Sequence, residues 1–193
     1  MRPTWVEVDT GSIANNIERV RAAIPEKTQI MAVVKADGYG HGAVPVAIAA
    51  LNSGAAFLGV ALVEEGIALR RAGIVAPILF MESLFPWQAS DLVRYGLTAT
   101  VASYDSADVL SESASLLGRK AKVHIKVDTG MGRLGLPPDA ILGLVRHVSG
   151  LPRLEIEGIF THLACAESDP SMTRRQLELF HDVVDALAAQ GHE

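Results

Sequence analysis

A chain of 193 residues that is 49% hydrophobic holds one ample core and falls short of two large domains. Its net charge of -5 is spread along the sequence, and its 17 Lys and Arg form no basic stripe, which argues against a nucleic-acid partner. Cys165 stands alone, so an internal disulfide is excluded and a reducing compartment fits.

The start, Met1 to Glu7, carries one basic residue and no apolar signal core. The longest apolar run, Ala55 to Val63, is too short for a bilayer, so a soluble, cytoplasmic protein without membrane contact is expected. Taken in chain order, apolar runs bounded by turn residues alternate with stretches of helical period. Ile30 to Val34 predicts a buried strand and Val44 to Asn52 a helix. Phe57 to Ala61 and Val63 to Ala72 repeat the pair, as do Pro77 to Met81 with Trp87 to Tyr95. Leu97 to Val101 precedes a helix over Tyr104 to Leu117, and Val123 to Val127 precedes one over Asp139 to His147. Ile156 to Thr161 and Met172 to Ala189 close the series. Gly54, Gly73, Gly96, Gly118 and Gly150 sit where helices should stop, and Asp169-Pro170 supplies an N-cap with proline at the first helical position.

Such alternation predicts an α/β fold with a parallel sheet and crossover helices. The spacing suits a doubly wound sheet or a (β/α)8 barrel. No Gly-x-Gly-x-x-Gly follows the first strand, and the distinctive polar residues fall at the C-terminal ends of several strands, so the barrel is favoured. Six βα units are present where eight would close it, so an incomplete TIM-type barrel is expected.

Lys35 ends the first strand and opens onto Asp37-Gly38-Tyr39-Gly40-His41-Gly42. A lysine held there can act as a nucleophile on carbonyl carbon, forming a Schiff base with an aldehyde or with pyridoxal phosphate. The plain alternative is a lysine whose head reaches solvent. Tyr39 reads equally as a half-buried packing aromatic or as a hydroxyl placed for phosphate, and His41 as a structural hydrogen-bonding residue. The second cluster is Lys126-Val127-Asp128-Thr129-Gly130-Met131-Gly132-Arg133-Leu134-Gly135. Three glycines imply positive φ angles, and the planar fork of Arg133 suits a carboxylate, although an ordinary loop with a surface arginine has the same appearance. Lys126, between Ile125 and Val127, needs a negative partner or a modification if it points inward. His162 follows the last strand and is as readily a satisfied structural histidine as a working one. No His or Cys spacing suggests a metal site. Glu167, Asp169 and the acids of the last helix read as a solvated face.

Trp5 to Asp9, Val33 to Gly42, Lys126 to Gly135 and Gly158 to His162 together resemble alanine racemase in order and approximate spacing, over nearly the whole chain. The resemblance implies a fold type III pyridoxal-phosphate enzyme, a barrel followed by a mostly β domain, working as a homodimer on alanine to supply D-alanine for peptidoglycan. On matching positions, Lys35 would hold the cofactor as a Schiff base and act as base on one face of Cα. Tyr39 would help hold the phosphate, Met81 would pack near the ring, and His162 would join a hydrogen-bond network beside it. Arg133 would hold the substrate carboxylate or the cofactor's phenolic oxygen. Lys126 matches a lysine carbamylated in many members, and a carbamate would give Arg133 a negative partner. Asp37-Gly38 departs from the commoner Asn-Ala or Asp-Ala.

In the family the second base is a tyrosine from the partner subunit's C-terminal domain. Residues 1–193 are therefore expected to form the N-terminal part of the barrel, without the C-terminal β domain and without turnover of their own. A pyridoxal-phosphate-binding barrel that serves cofactor homeostasis without catalysis is the alternative. The Asp128 to Gly135 loop favours the racemase, because a carrier has no substrate carboxylate to clamp.

Overall fold

The computed structural model describes residues 4–192; residues 1–3 and 193 of the expected span 1–193 lie outside them. The chain divides into two compact units, one up to Met81 and one from Glu82 onward.

In the first unit, strands β1 (Met31–Val33), β2 (Phe57–Val60) and β3 (Ile78–Phe80) pair in parallel in chain order. Met31 faces Phe57, and Leu58 faces Ile78. Helices α3 (Ala43–Asn52) and α4 (Val63–Arg71) make the crossovers. All of β3 is buried, as a parallel strand covered on both faces must be. β1 departs from the buried strand expected: Met31 and Ala32 are half-buried and Val33 is 37% exposed. Within this unit β1 has β2 as its strand neighbour, so one of its edges has no ladder partner there. Helix α1 (Thr10–Ala23) was not predicted, although Ile13, Ile17, Val20 and Ile24 recur at spacings of four, three and four. Asp9 caps it by accepting from the Gly11 amide at 2.8 Å. Ile17 and Ile24 pack on Ile30, Ala50 and Ala55.

In the second unit, β4 (Thr98–Val101), β5 (Ala121–Lys126) and β6 (Leu154–Phe160) are likewise parallel and in chain order. Around them run α5 (Ala89–Arg94), α6 (Tyr104–Leu116), α7 (Pro138–Gly150) and α8 (Pro170–Ala188). The helix expected over Trp87 to Tyr95 is preceded by a separate 3-10 turn, Pro86–Gln88, because the Gln88 side chain accepts from the Phe85 amide at 3.1 Å and fixes a tight start. Gly150, expected to stop α7, is its last helical residue; Leu151 leaves in an extended conformation instead. Asp169 caps α8 as predicted, accepting from the amides of Ser171 and Met172, with Pro170 at the first position.

A register shift between β5 and β6 leaves Glu157 as an extra residue, opposite no partner on β5. Its carboxylate takes Lys122 Nζ at 2.5 Å and Thr98 Oγ1 at 3.1 Å, with His124 Nε2 at 3.4 Å. Burial pushes the His124 imidazole below its usual value, against the pull of Glu157.

Candidate active site

The first unit carries Lys35, Tyr39 and Met81. The Val34 amide donates to Gly59 O at 2.8 Å, which extends the β1 to β2 ladder up to the residue before Lys35. From there the chain makes a single left-handed turn, α2 (Lys35–Tyr39). Ala36 sits at φ 53, ψ 48, Asp37 at φ 53, ψ 47, Gly38 at φ 62, ψ 39, and Tyr39 at φ 54. Consecutive non-glycine residues in this region cost roughly 1–2 kcal/mol each, so the turn persists only because its surroundings hold it. The amides of Gly38, Gly40 and Gly42 donate to Val34 O, Ala36 O and Asp37 O at 2.8 to 3.0 Å. Asp37 Oδ1 accepts from the Ala43 amide at 2.8 Å. His41 Nδ1 meets Gly38 O at 3.0 Å, the structural role expected of it.

Lys35 is half-buried in this turn, with its chain neither sealed in the core nor fully in solvent. Tyr39 is 60% exposed, more open than a half-buried packing aromatic. Met81 follows β3, its amide donating to Val60 O at 2.9 Å. Gly59 makes room for its side chain: a Cβ there would lie 2.9 Å from Met81 Sδ and 3.3 Å from Met31 Sδ.

The second unit carries Lys126, Arg133 and His162. Lys126, the last residue of β5, is 4% exposed. Its Nζ donates to Val127 O at 3.3 Å and lies 5.0 Å from the centre of the Phe160 ring. Among the described residues no carboxylate comes within ion-pair distance of it. Burial pushes its amine below the usual lysine value, the Arg133 charge adds to this, and the Asp128 charge opposes. The loop beyond is closed by hydrogen bonds that the Asp128 amide donates to Leu136 O at 2.8 Å and the Leu136 amide to Lys126 O at 3.2 Å. Asp128 Oδ1 accepts from the amides of Gly130 at 2.9 Å and Gly132 at 3.0 Å. Burial works to raise that carboxyl, but the amides of Gly132, Gly130 and Met131, with the Lys126 charge, hold it below its usual value. The three glycines have the positive φ angles expected of them, at 137°, 69° and 114° for Gly130, Gly132 and Gly135. Arg133 is exposed near the tip of this loop.

His162, just past β6, has its side chain exposed and its carbonyl fixed. The fixing residue, Gln176 of α8, was not predicted. It is fully buried, donates Nε2 to His162 O at 3.0 Å and to Thr129 Oγ1 at 3.1 Å, and accepts from the Ala164 amide at 2.9 Å. Thr161 Oγ1 donates to Val127 O at 2.9 Å, so the 2.8 Å contact between the two threonines runs from Thr129 to Thr161. A directed chain of hydroxyls therefore ties the glycine loop to the end of β6. The apolar cavity of about 230 Å³ along β6, bounded by Ile125, Ile156, Val184 and Leu187, includes none of the candidate residues.

The family described as alanine racemase, N-terminal domain, matches residues 8–193. The alanine racemase of Symbiobacterium thermophilum is 48% identical over 192 residues, covering 99% of this chain and 51% of that protein. That of Desulforamulus reducens is 46% identical over 191 residues, covering 98% and 52%. Among solved structures, alanine racemase of Bacillus anthracis with bound L-Ala-P superposes with a TM-score of 0.91 at 37% identity, over all of this chain and 50% of that one. The cycloserine complex of the Clostridium difficile 630 enzyme gives 0.90 at 34%, over 99% and 53%. The six βα units are thus part of the barrel fold of those enzymes, and the chain spans about half the length of the curated relatives it matches.

Proposed function

The chain belongs to the alanine racemase N-terminal domain family, and from that premise we propose that it serves as the pyridoxal-phosphate-binding part of a racemase interconverting L- and D-alanine. The observation that carries the reading is Lys35, half-buried beyond the end of β1 in a left-handed turn whose backbone is pinned on several sides. The residues present fit the cofactor. Lys126 adds a buried amine that meets a carbonyl and an aromatic face and, among the described residues, no carboxylate within ion-pair distance, a place where a carbamate would relieve the burial of charge.

When bound, pyridoxal phosphate withdraws electrons from the amino acid's Cα and makes its proton acidic. The Lys35 amine holds the cofactor and moves the proton on one face of Cα. The exposed Tyr39 hydroxyl donates to phosphate oxygen. The Arg133 guanidinium offers paired N–H groups to a carboxylate or to the cofactor's phenolic oxygen. A carbamate on Lys126 would anchor that arginine. His162, with its backbone fixed by Gln176, contributes a hydrogen bond beside the cofactor, and Met81 lends an apolar contact to its ring. Racemisation needs acid and base on opposite faces, so Lys35 acts with a second group, which the family resemblance puts on the partner subunit of a homodimer. In that reading the enzyme is cytoplasmic and its product feeds peptidoglycan synthesis. Among the described residues no helix is long and apolar enough to cross a membrane.

The test uses the full-length protein, loaded with pyridoxal phosphate, reduced with borohydride and mapped by peptide. We expect the label on Lys35 and conversion of L-alanine to the D isomer, with Lys35→Ala losing the label and at least about a thousandfold of the rate. No label on Lys35 overturns the cofactor site. Label without the D isomer of alanine, or of any other amino acid tried, leaves the carrier reading in its place.

A further inference from the structure

Glu65 lies in the first turn of α4, where a glutamate at the third helical position commonly reaches back to cap the helix. One of its oxygens does so: Oε2 accepts from the amides of Ala61 at 2.9 Å and Leu62 at 3.0 Å. The other oxygen does something the cap does not require. Oε1 accepts from the amide of Ala36 at 2.6 Å, across 29 residues of sequence. Ala36 is the residue after Lys35 and the first of the left-handed turn. The turn's other hydrogen bonds come from its own flanks, Val34 to Ala43. Glu65 ties it to the end of β2, through a charge-assisted bond of the stronger kind.

We propose that Glu65 is a positioning residue for the Lys35 chemistry, its carboxylate splitting between the α4 cap and the Ala36 amide so that the left-handed turn, and with it Lys35, is held against the end of β2. This rests on the reading of Lys35 as the cofactor lysine. The geometry explains why the group must be a carboxylate. Three amide N–H groups face its two oxygens, so an amide side chain can satisfy the cap with its one oxygen but must then turn its NH2 toward the Ala36 N–H, donor against donor. Glu65→Gln therefore separates the two roles, keeping the cap and releasing the turn. Glu65→Ala removes both.

Two readouts decide it, both on the full-length protein. The first is amide exchange of the cofactor-free protein. In Glu65→Gln the Ala36 amide should exchange at least about tenfold faster, while the Ala61 and Leu62 amides keep their protection. In Glu65→Ala all three should lose it. The second is the loaded enzyme. In Glu65→Gln, kcat should fall about 10- to 100-fold with KM for alanine changed less than about threefold, and the absorbance of the Lys35-linked cofactor should shift in its pH dependence. Misplacement of the lysine, not loss of substrate binding, gives that split. Unchanged Ala36 exchange overturns the clamp. Faster Ala36 exchange with unchanged kcat and pH profile leaves only a local tie and overturns the positioning role. A wild-type protein that takes no label on Lys35 fails the functional reading instead, and the exchange measurement then still decides the clamp on its own.

Discussion

The loops after β1 and β5 share a sequence plan and solve it differently. Both run from an apolar strand into a lysine, place an aspartate two residues later and go on into glycines: Lys35-Ala36-Asp37-Gly38 and Lys126-Val127-Asp128-Thr129-Gly130. In both, the aspartate Oδ1 collects amides further along, from Ala43 in the first loop and from Gly130 and Gly132 in the second. In the first loop the non-glycine residues Ala36, Asp37 and Tyr39 take left-handed conformation along with the glycines, and Lys35 stays half-buried. In the second the glycines take the positive φ angles, the backbone closes on itself between Lys126 and Leu136, and Lys126 is sealed in. A strained turn pinned from outside leaves its lysine half-buried, while an unstrained closed loop buries its lysine almost completely.

That contrast predicts unequal responses to the same small substitution. Gly135→Ala is the larger. At φ 114° its Cβ would lie 2.8 Å from Asp128 N, 2.9 Å from Lys126 O and 3.0 Å from Val127 C, all backbone. None can move without opening the loop, so we expect a loss of about 3 kcal/mol or more in urea unfolding. Gly38→Ala is milder. Its φ of 62° is an ordinary left-handed angle, its nearest neighbour at 3.0 Å is the Val46 side chain, and the Ala43 backbone stands at 3.3 Å. The expected loss is about 1–2 kcal/mol. If Gly38→Ala costs as much as Gly135→Ala, the two loops do not differ in the way described.

The sequence makes the βα rhythm legible because period-2 and period-3.6 patterns are local. All six strands begin and end within two residues of where the apolar runs put them. The candidate residues were legible for the same reason, since Lys35, Lys126 and His162 stand at or just past strand ends and Arg133 stands among glycines. What the sequence hides is who holds them. Glu65 reads as a first-turn helix charge, and its bond to Ala36 spans 29 residues. Gln176 reads as one polar residue on an amphipathic helix, yet it is fully buried because three polar groups of two loops converge on it. Such partners are set by tertiary packing, which no local period encodes. The left-handed turn is hidden too, because Ala36 has no intrinsic preference for it.

The smallest expected effect bears on how Lys126 tolerates burial. Asp128→Asn keeps the oxygen that accepts from Gly130 and Gly132 and removes the charge that favours a protonated Lys126. In the wild type that carboxyl titrates below its ordinary value of 3.8, so between the two values the unfolded chain binds more protons than the folded one. The stability it contributes is present in full above 3.8 and drains away as pH falls through the lower, folded value. The carboxylate is partly in solvent, so screening limits the difference between wild type and Asp128→Asn to roughly half a kcal/mol at neutral pH. That difference should close in acid, and a gap that stays constant from neutral pH to below 3.8 would assign it to packing instead. Losing the carboxylate also removes the charge that opposes burial at Lys126, so its amine moves further below the usual lysine value.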